Sequence, residues 1–253
     1  MQIRLLSEDG RSIAARRWLE GREEIKSLSG NMIILPIPST KDKRTVFSLG
    51  VPLLSVVSEL KAGDVAVGYG IPEETRLACY LRGAYAIDIA DDEEYQREGA
   101  YLTALGCVNH ILTEYSVPPS ELSFGIVGYG RIGKALTGLL LGLPARVTVY
   151  SSKPLAGNGL TALPYSALAE ADRSGIDVLI NTAPARLIRR EFIEKSPEIR
   201  LIELASGDNF PEDLSVTRLM QLPSRVFPEG AGRAVGRAVM RALVSSKFDG
   251  AIK

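Results

Sequence analysis

The chain has 253 residues, with 30 basic side chains against 30 acidic ones and therefore no formal net charge. That length suits two small domains, each with its own core, and the balanced charge, without a block of like residues, leaves no footprint for nucleic acid or a membrane surface as partner. No apolar run approaches the roughly 20 residues of a membrane span, and the opening MQIRLLSEDGRS does not read as a secretory signal, so a cytoplasmic protein with a small-molecule ligand is expected.

Strand-like and helix-like segments alternate from the start. QIRLL (2–6), NMIILPIP (31–38), the weaker TVFSL (45–49), DVAVGY (64–69) and YAIDIA (85–90) read as strands, separated by helical segments near 10–20, 52–61 and 73–82. The alternation predicts a parallel sheet with helices on both faces, a flavodoxin-like or incomplete Rossmann-like domain over residues 1–91. A longer helix follows from about 92 to 115, opened by Asp91 and Glu94 at capping-box spacing and closed by Val117-Pro118-Pro119-Ser120. Residues 92–120 thus read as a connector. The two cysteines, Cys79 and Cys107, have no second thiol or histidine at metal spacing; they read as buried structural thiols, and no metal is expected. His110, the only histidine, falls inside the connector helix and reads as a packed or capping residue.

The second domain, 121–228, begins with SFGIVGYGRIGKAL. Phe124 to Val127 is a strand, and Ile132, Leu136, Leu139, Leu140 and Leu143 form an apolar helical stripe that stops at Pro144, so Gly128, Gly130 and Gly133 sit in a strand–turn–helix context. Gly128 permits the tight turn, Gly130 lets backbone N–H groups approach a pyrophosphate, and Gly133 lets the helix pack on the strand, with Tyr129 and Ile132 between them. A ligand-free strand–helix turn is the alternative. The next strand, ARVTVYSSK (145–153), ends in Ser151, Ser152 and Lys153, where an NAD site presents an acid about 20 residues past the glycines. Two hydroxyls and a cation suit a 2′-phosphate, so NADP is favoured over NAD. Arg131 either reinforces that contact or stays solvated. DVLINTAPA (177–185) runs into Asn181, Thr182, Ala183 and Pro184, and RLIELAS (200–206) ends at Ala205 and Ser206. These small residues at carboxyl ends of parallel strands are where the nicotinamide half is expected, ordinary loop chemistry being the alternative.

The final stretch, 229–253, reads as a helix that crosses back to the first domain. PEGAG (228–232) opens it with free N–H groups able to receive an anion, Gly230 among them. Arg233, Arg237 and Arg241, spaced by four, read as a solvated face or as a docking stripe for an acidic partner.

The order IVGYGRIG, INTAPA, LIELAS and LPSRVFPEGAG resembles the dinucleotide-binding component of dipicolinate synthase, and LLSEDGRSIAARRWL, NMIILPIPSTKD, Asp91-Asp92 and Glu98-Gly99 extend the likeness over most of the chain. The resemblance implies an α/β fold akin to the two-domain hydroxyacid dehydrogenases and a sporulation enzyme. It also implies oxidation of a dihydro- or tetrahydropyridine dicarboxylate to the aromatic ring with NADP, beside a flavoprotein-like partner. Gly207-Asp208-Asn209-Phe210 and Gln221-Leu222-Pro223-Ser224 replace glycine-rich turns of that family, and the segment between Asp92 and Glu98 is shorter than its loop. These departures lie on the substrate side, so a different small substrate is the alternative.

A buried dicarboxylate needs donors and a cation. Ser39, Thr40 and Lys41, just past a strand end, are the first candidates, and Arg11, in a segment resembling the family's Asp-x-Arg turn, is the second. Glu229 or Glu98 is the candidate proton acceptor in aromatisation. His110 precedes the glycine turn, whereas hydroxyacid dehydrogenases of this architecture place their catalytic histidine after it, which argues against 2-hydroxyacid oxidation. The reading is an NADP(H)-dependent oxidoreductase acting on a small carboxylate, with homo-oligomerisation left open. The rivals are a dinucleotide-binding sensor or scaffold protein without turnover, and an imine or 2-hydroxy/keto acid dehydrogenase.

Overall fold

Short, nearly continuous apolar runs in the first part of the chain build a sheet covered on both faces. The computed structural model describes residues 1–153, 160–170, 175–194, 198–212 and 214–245. The chain divides into two units, Met1–Gly99 with Pro223–Lys253, and Ala100–Leu222.

The first unit contains, in order, β1 Ile3–Leu5, α1 Gly10–Glu20, α2 Glu23–Lys26, β2 Met32–Ile34, α3 Leu53–Ser58, β3 Val65–Gly68, α4 Glu73–Leu81 and β4 Tyr85–Asp88. Helix α5, Glu93–Glu114, runs from the first unit into the second. The second unit continues with β5 Ser123–Val127, α6 Arg131–Gly142, β6 Arg146–Ser151, β7 Thr161–Pro164, α7 Ala167–Glu170, β8 Val178–Asn181, α8 Arg190–Glu194, β9 Arg200–Glu203 and β10 Val216–Arg218. Helices α9, Leu222–Val226, and α10, Pro228–Val244, complete the chain.

Both sheets are wholly parallel among the described residues, in the order β1-β2-β3-β4 and β10-β9-β8-β5-β6-β7. In the first, strand alternation divides the side chains between two cores. Ile3, Met32, Ile34, Val65, Val67 and Ile87 meet Leu19 of α1 and Val235 and Val239 of α10. Ile33, Leu35 and Ala66 meet Leu53, Val56 and Val57 of α3 and Cys79 of α4. In the second, α6 buries Gly133, Leu136, Thr137 and Leu140, whereas Ile132, Leu139 and Leu143 of the predicted stripe are half-buried.

The structure corrects several expectations. TVFSL is not a strand: Thr45 makes one isolated bridge to Pro52, and the segment turns back on itself through Val46 N–H to Val51 O (2.8 Å). Asp42 organises that turn by accepting the Arg44 and Thr45 N–H groups, a local competition that outweighs the strand propensity of Val and Phe. The long helix is capped by Asp92, whose Oδ1 accepts Tyr95 N–H at 2.7 Å; Asp91 pairs with Arg76 instead. The arginine row of α10 is not a simple solvated face, because Arg237 pairs with Glu98 and Arg241 with Asp92 and Glu94, while Arg233 is exposed. Both cysteines are buried, and burial pushes the thiols up to about 11 at Cys79 and about 12 at Cys107, which makes them inert. His110 is half-buried within α5. Among the described residues no helix is long and apolar enough to cross a membrane, and no His, Cys, Asp and Glu cluster could hold a metal ion.

Candidate functional site

The second sheet reverses direction between β5 and β8, since the chain leaves β5 for β6 on one side and later returns to β8 on the other. Ligands of open α/β sheets bind outside the carboxyl ends of the strands at this point. The glycine turn lies there. Gly128 follows β5 with φ +99°, in the left-handed region that favours glycine, and its N–H donates to Tyr150 O at 2.9 Å. A Cβ on Gly133 would collide with the Gly128 carbonyl, so the first turn of α6 can lie this close to the strand only with glycine there. Thr182, just past β8, holds the turn from the other side: its N–H donates to Val127 O at 2.8 Å, and its Oγ1 lies 3.0 Å from Val127 O and 3.3 Å from Gly128 O.

Helix α6 begins without a side-chain cap. Its N-cap residue is Gly130, no side-chain cap bond is made there, and a Cβ on Gly130 would meet no protein atom within 4 Å. Clear space beside uncapped N–H donors at the positive end of a helix dipole fits a pyrophosphate. Tyr129 is half-buried with the Lys134 ammonium 5.7 Å from its ring centre, and Arg131 is the exposed first residue of the helix.

Strand β6 pairs alongside β5 and brings its end to the same edge of the sheet, with Val127 opposite Tyr150. Ser151 is buried and its Oγ accepts Lys153 N–H at 3.2 Å, while Ser152 and Lys153 are exposed. Their hydroxyl and ammonium are available to an anion; Ser151 shapes the bend that presents them.

On the other side of β5, Asn181 ends β8, completely buried. Its amide closes a ring with the backbone ahead, Oδ1 accepting Ala183 N–H at 3.1 Å and Nδ2 donating to Ala183 O at 3.0 Å. Pro184 and Ser206 are exposed, and Ala183 and Ala205 are buried. The residue that links these two strand ends is Glu203, which the sequence pattern does not single out. It is completely buried at the end of β9, and Oε1 accepts Asn181 Nδ2 and Ala205 N–H, each at 2.9 Å. Burial pushes its carboxyl above the ordinary value, against the bonds from Ala205 and Asn181 that pull it down. An acid within the apolar run RLIELAS is the one signal that could have found it.

In the first unit, Arg11 is 8% exposed on α1, where Asp9 caps the helix by accepting Ser12 N–H at 3.1 Å. Arg11 Nη2 donates to Ile37 O at 2.8 Å, whereas its buried Nε lies 3.8 Å from Asp9 Oδ1 and makes no hydrogen bond. Beside it Tyr95 is buried, which pushes its phenol up to about 12. The trio after β2 is mostly engaged by the fold. Ser39 is completely buried and its Oγ accepts Tyr69 N–H at 2.7 Å; Thr40 Oγ1 bonds Asp42 Oδ1 at 3.0 Å; Lys41 is exposed, its ammonium 4.8 Å from the Phe47 ring centre. Both candidate bases carry cationic partners: Glu98 receives Nε and Nη2 of Arg237, and Glu229 lies 3.0 Å from Arg17 Nη1. Gly230 is half-buried in the first turn of α10, beside Glu229.

Each of the two units is an α/β fold with a parallel sheet, and the second is doubly wound with a glycine turn at its switch point, a Rossmann-like topology. In fold, the chain is similar to a dipicolinate synthase component from Bacillus halodurans, with a TM-score of 0.74 and 18% identity over 96% of this chain and 98% of that one. It is also similar to the corresponding dipicolinate synthase component from Bacillus subtilis, with a TM-score of 0.72 and 16% identity over 98% of this chain and 97% of that one. A transhydrogenase from Sinorhizobium meliloti follows at 0.63 and 15%, over 96% of this chain and 92% of that one. No protein-family model and no curated protein matches the sequence.

Proposed function

We propose that this chain is an NADP(H)-dependent oxidoreductase of the dipicolinate synthase kind, oxidising a small cyclic dicarboxylate. The observation that carries the reading is the uncapped start of α6 behind the Gly128–Gly133 turn, set beside the exposed Ser152 and Lys153 at the end of β6. When bound, the nicotinamide supplies the acceptor for hydride. The chain supplies the rest. The first-turn N–H groups of α6 hold the pyrophosphate, Ser152 and Lys153 take the 2′-phosphate with help from Arg131, and the backbone at Ala183–Pro184 and Ala205–Ser206 gives the flat ring a surface without bulky side chains.

Arg11 is the cation for a substrate carboxylate, since its buried Nε lacks a hydrogen-bond acceptor and a buried unpaired donor is costly. Lys41 and the start of α10 at Gly230 are further anion contacts. Aromatisation of a dihydropyridine dicarboxylate releases one hydride and one proton, and Glu229 or Glu98 receives the proton. A cytoplasmic site of action, a role in sporulation and a flavoprotein-like partner belong to the same reading.

The test is a coupled assay in which aspartate semialdehyde, pyruvate and dihydrodipicolinate synthase generate the substrate, with NADP or NAD as acceptor. Dipicolinate, read by terbium luminescence, is expected to depend on this protein and to form faster with NADP. A second reading, a dinucleotide-binding protein without turnover, is favoured by the arginines that engage both Glu98 and Glu229, since each candidate proton acceptor already has an ion-pair partner in the fold. Cofactor binding without product, with or without a flavoprotein, would select it; reduction of keto acids or imines by NADPH would select a different dehydrogenase.

A further inference from the structure

A buried acid that bonds two separate strand ends is costly to desolvate in a fold that could close the same space with a leucine. Glu203 and Asn181 face each other in register at the ends of β9 and β8. Both are completely buried. Glu203 Oε1 accepts one bond from each strand's end: from Asn181 Nδ2, which also holds Ala183 O, and from Ala205 N–H. Oε2, equally enclosed, has no hydrogen-bond partner. The nearby Asn209 amide donates to Ser206 O at 3.2 Å, and Arg218, opposite Glu203 in register on β10, lies 3.7 Å from Asp208.

We propose that Glu203 is a positioning residue for the nicotinamide half of the dinucleotide, clamping the backbone at 181–184 to the backbone at 203–206 through Asn181 and Ala205. The assignment rests on the dinucleotide reading above. Those two stretches are the ones offered to the nicotinamide ring, whereas the adenosine half belongs to the glycine turn and the end of β6, which Glu203 does not bond. Burial favours the neutral acid, in which one oxygen accepts both bonds and the other carries the proton. An amide reproduces that arrangement; a thioether of similar size fills the space and leaves Asn181 Nδ2 and Ala205 N–H without their acceptor.

The experiment compares wild type, Glu203→Gln and Glu203→Met, with folding checked by circular dichroism. Dissociation constants are measured for NADPH by fluorescence and for 2′,5′-ADP, the adenosine half alone, by calorimetry. Glu203→Met is expected to weaken NADPH by about tenfold or more and to leave 2′,5′-ADP within about twofold. Glu203→Gln is expected to keep both. Unchanged NADPH affinity in Glu203→Met, equal losses for both ligands, or a loss in Glu203→Gln as large as in Glu203→Met would overturn the clamp. Wild type that binds neither ligand would remove the dinucleotide reading itself, and the proposal with it.

Discussion

Arg241 grips both oxygens of Asp92, Nε to Oδ2 at 2.8 Å and Nη2 to Oδ1 at 2.9 Å, across a sequence separation of 149 residues. Asp92 Oδ1 also caps α5 by accepting Tyr95 N–H, so one carboxylate starts the long helix and anchors the last turn of α10. Arg241 holds the Asp92 carboxyl below its ordinary value of 3.8. A depressed carboxyl contributes stability that is present above the unfolded value and is lost as the pH falls through the folded one. Asp92→Ala should therefore cost about 2–3 kcal/mol in urea unfolding at neutral pH, and Asp92→Asn, which can still cap, about 1 kcal/mol. The gap between wild type and Asp92→Ala should narrow as the pH is lowered below 3.8; a constant gap would mean that the ion pair adds nothing.

Glu203 has the opposite sign. Its folded carboxyl is raised above 4.5 by burial, so the stability it contributes is full below the unfolded value and is lost as the pH climbs through the folded one. Glu203→Gln cannot ionise. Its melting temperature relative to wild type should rise as the pH climbs from 4.5 into the neutral range, and a flat difference across that range would show that the side chain titrates normally.

Helices α1 and α10 cross closely because α10 presents Gly232 and Gly236. A Cβ on Gly232 would lie 2.5 Å from Ala14 Cβ and 2.6 Å from Ala15 N, and one on Gly236 would strike the Trp18 ring. Glycine to alanine in an exposed helix gains about 1 kcal/mol of helix propensity, whereas overpacking a tight contact costs about 1–3 kcal/mol. At Gly232 the clash involves backbone and should win. Gly232→Ala is expected to destabilise by about 1–2 kcal/mol in chemical denaturation, while Gly138→Ala on α6, where a Cβ meets nothing within 4 Å, should stabilise by about 0.5–1 kcal/mol. Stabilisation by both would mean that the helices separate at little cost.

What the sequence makes legible is local. MIIL reads as a strand buried on both faces because every residue is apolar, and the glycine turn reads correctly because strand, turn and helix are contiguous. Strands β7 and β10 escape a pattern search because they are short edge strands with half-buried or exposed side chains, and so carry no apolar alternation. TVFSL misleads because a carboxylate three residues earlier, not the strand-forming side chains, decides its backbone. The arginine row of α10 has helical spacing that suits a solvated face equally well; only the fold brings Glu98, Asp92 and Glu94 opposite it. Glu203 is out of reach for the same reason, since its meaning lies in Asn181, which is distant in sequence and adjacent in the sheet.

Under the proposed dinucleotide reading, the choice between NADP and NAD turns on the end of β6. Among Ser151, Ser152 and Lys153, Ser151 is buried and commits its oxygen to the Lys153 N–H, so on the proposed reading the exposed Ser152 hydroxyl and Lys153 ammonium are the groups that meet the ribose. An acid at this position would bond a 2′-hydroxyl and repel a 2′-phosphate; a lysine does the reverse. Lys153→Glu replaces attraction by repulsion at one exposed position without touching the buried strand. It should weaken NADPH by about 10- to 100-fold and leave NADH within a few-fold, measured as dissociation constants by fluorescence titration. The salt dependence provides an internal check. Wild-type affinity for NADPH should fall as ionic strength rises from about 20 to about 500 mM, because a solvent-exposed contact between charges is screened, and Lys153→Glu should lose that slope or reverse it. An unchanged NADPH to NADH ratio in the variant would place the 2′-phosphate elsewhere and return Ser152 and Lys153 to the solvated surface.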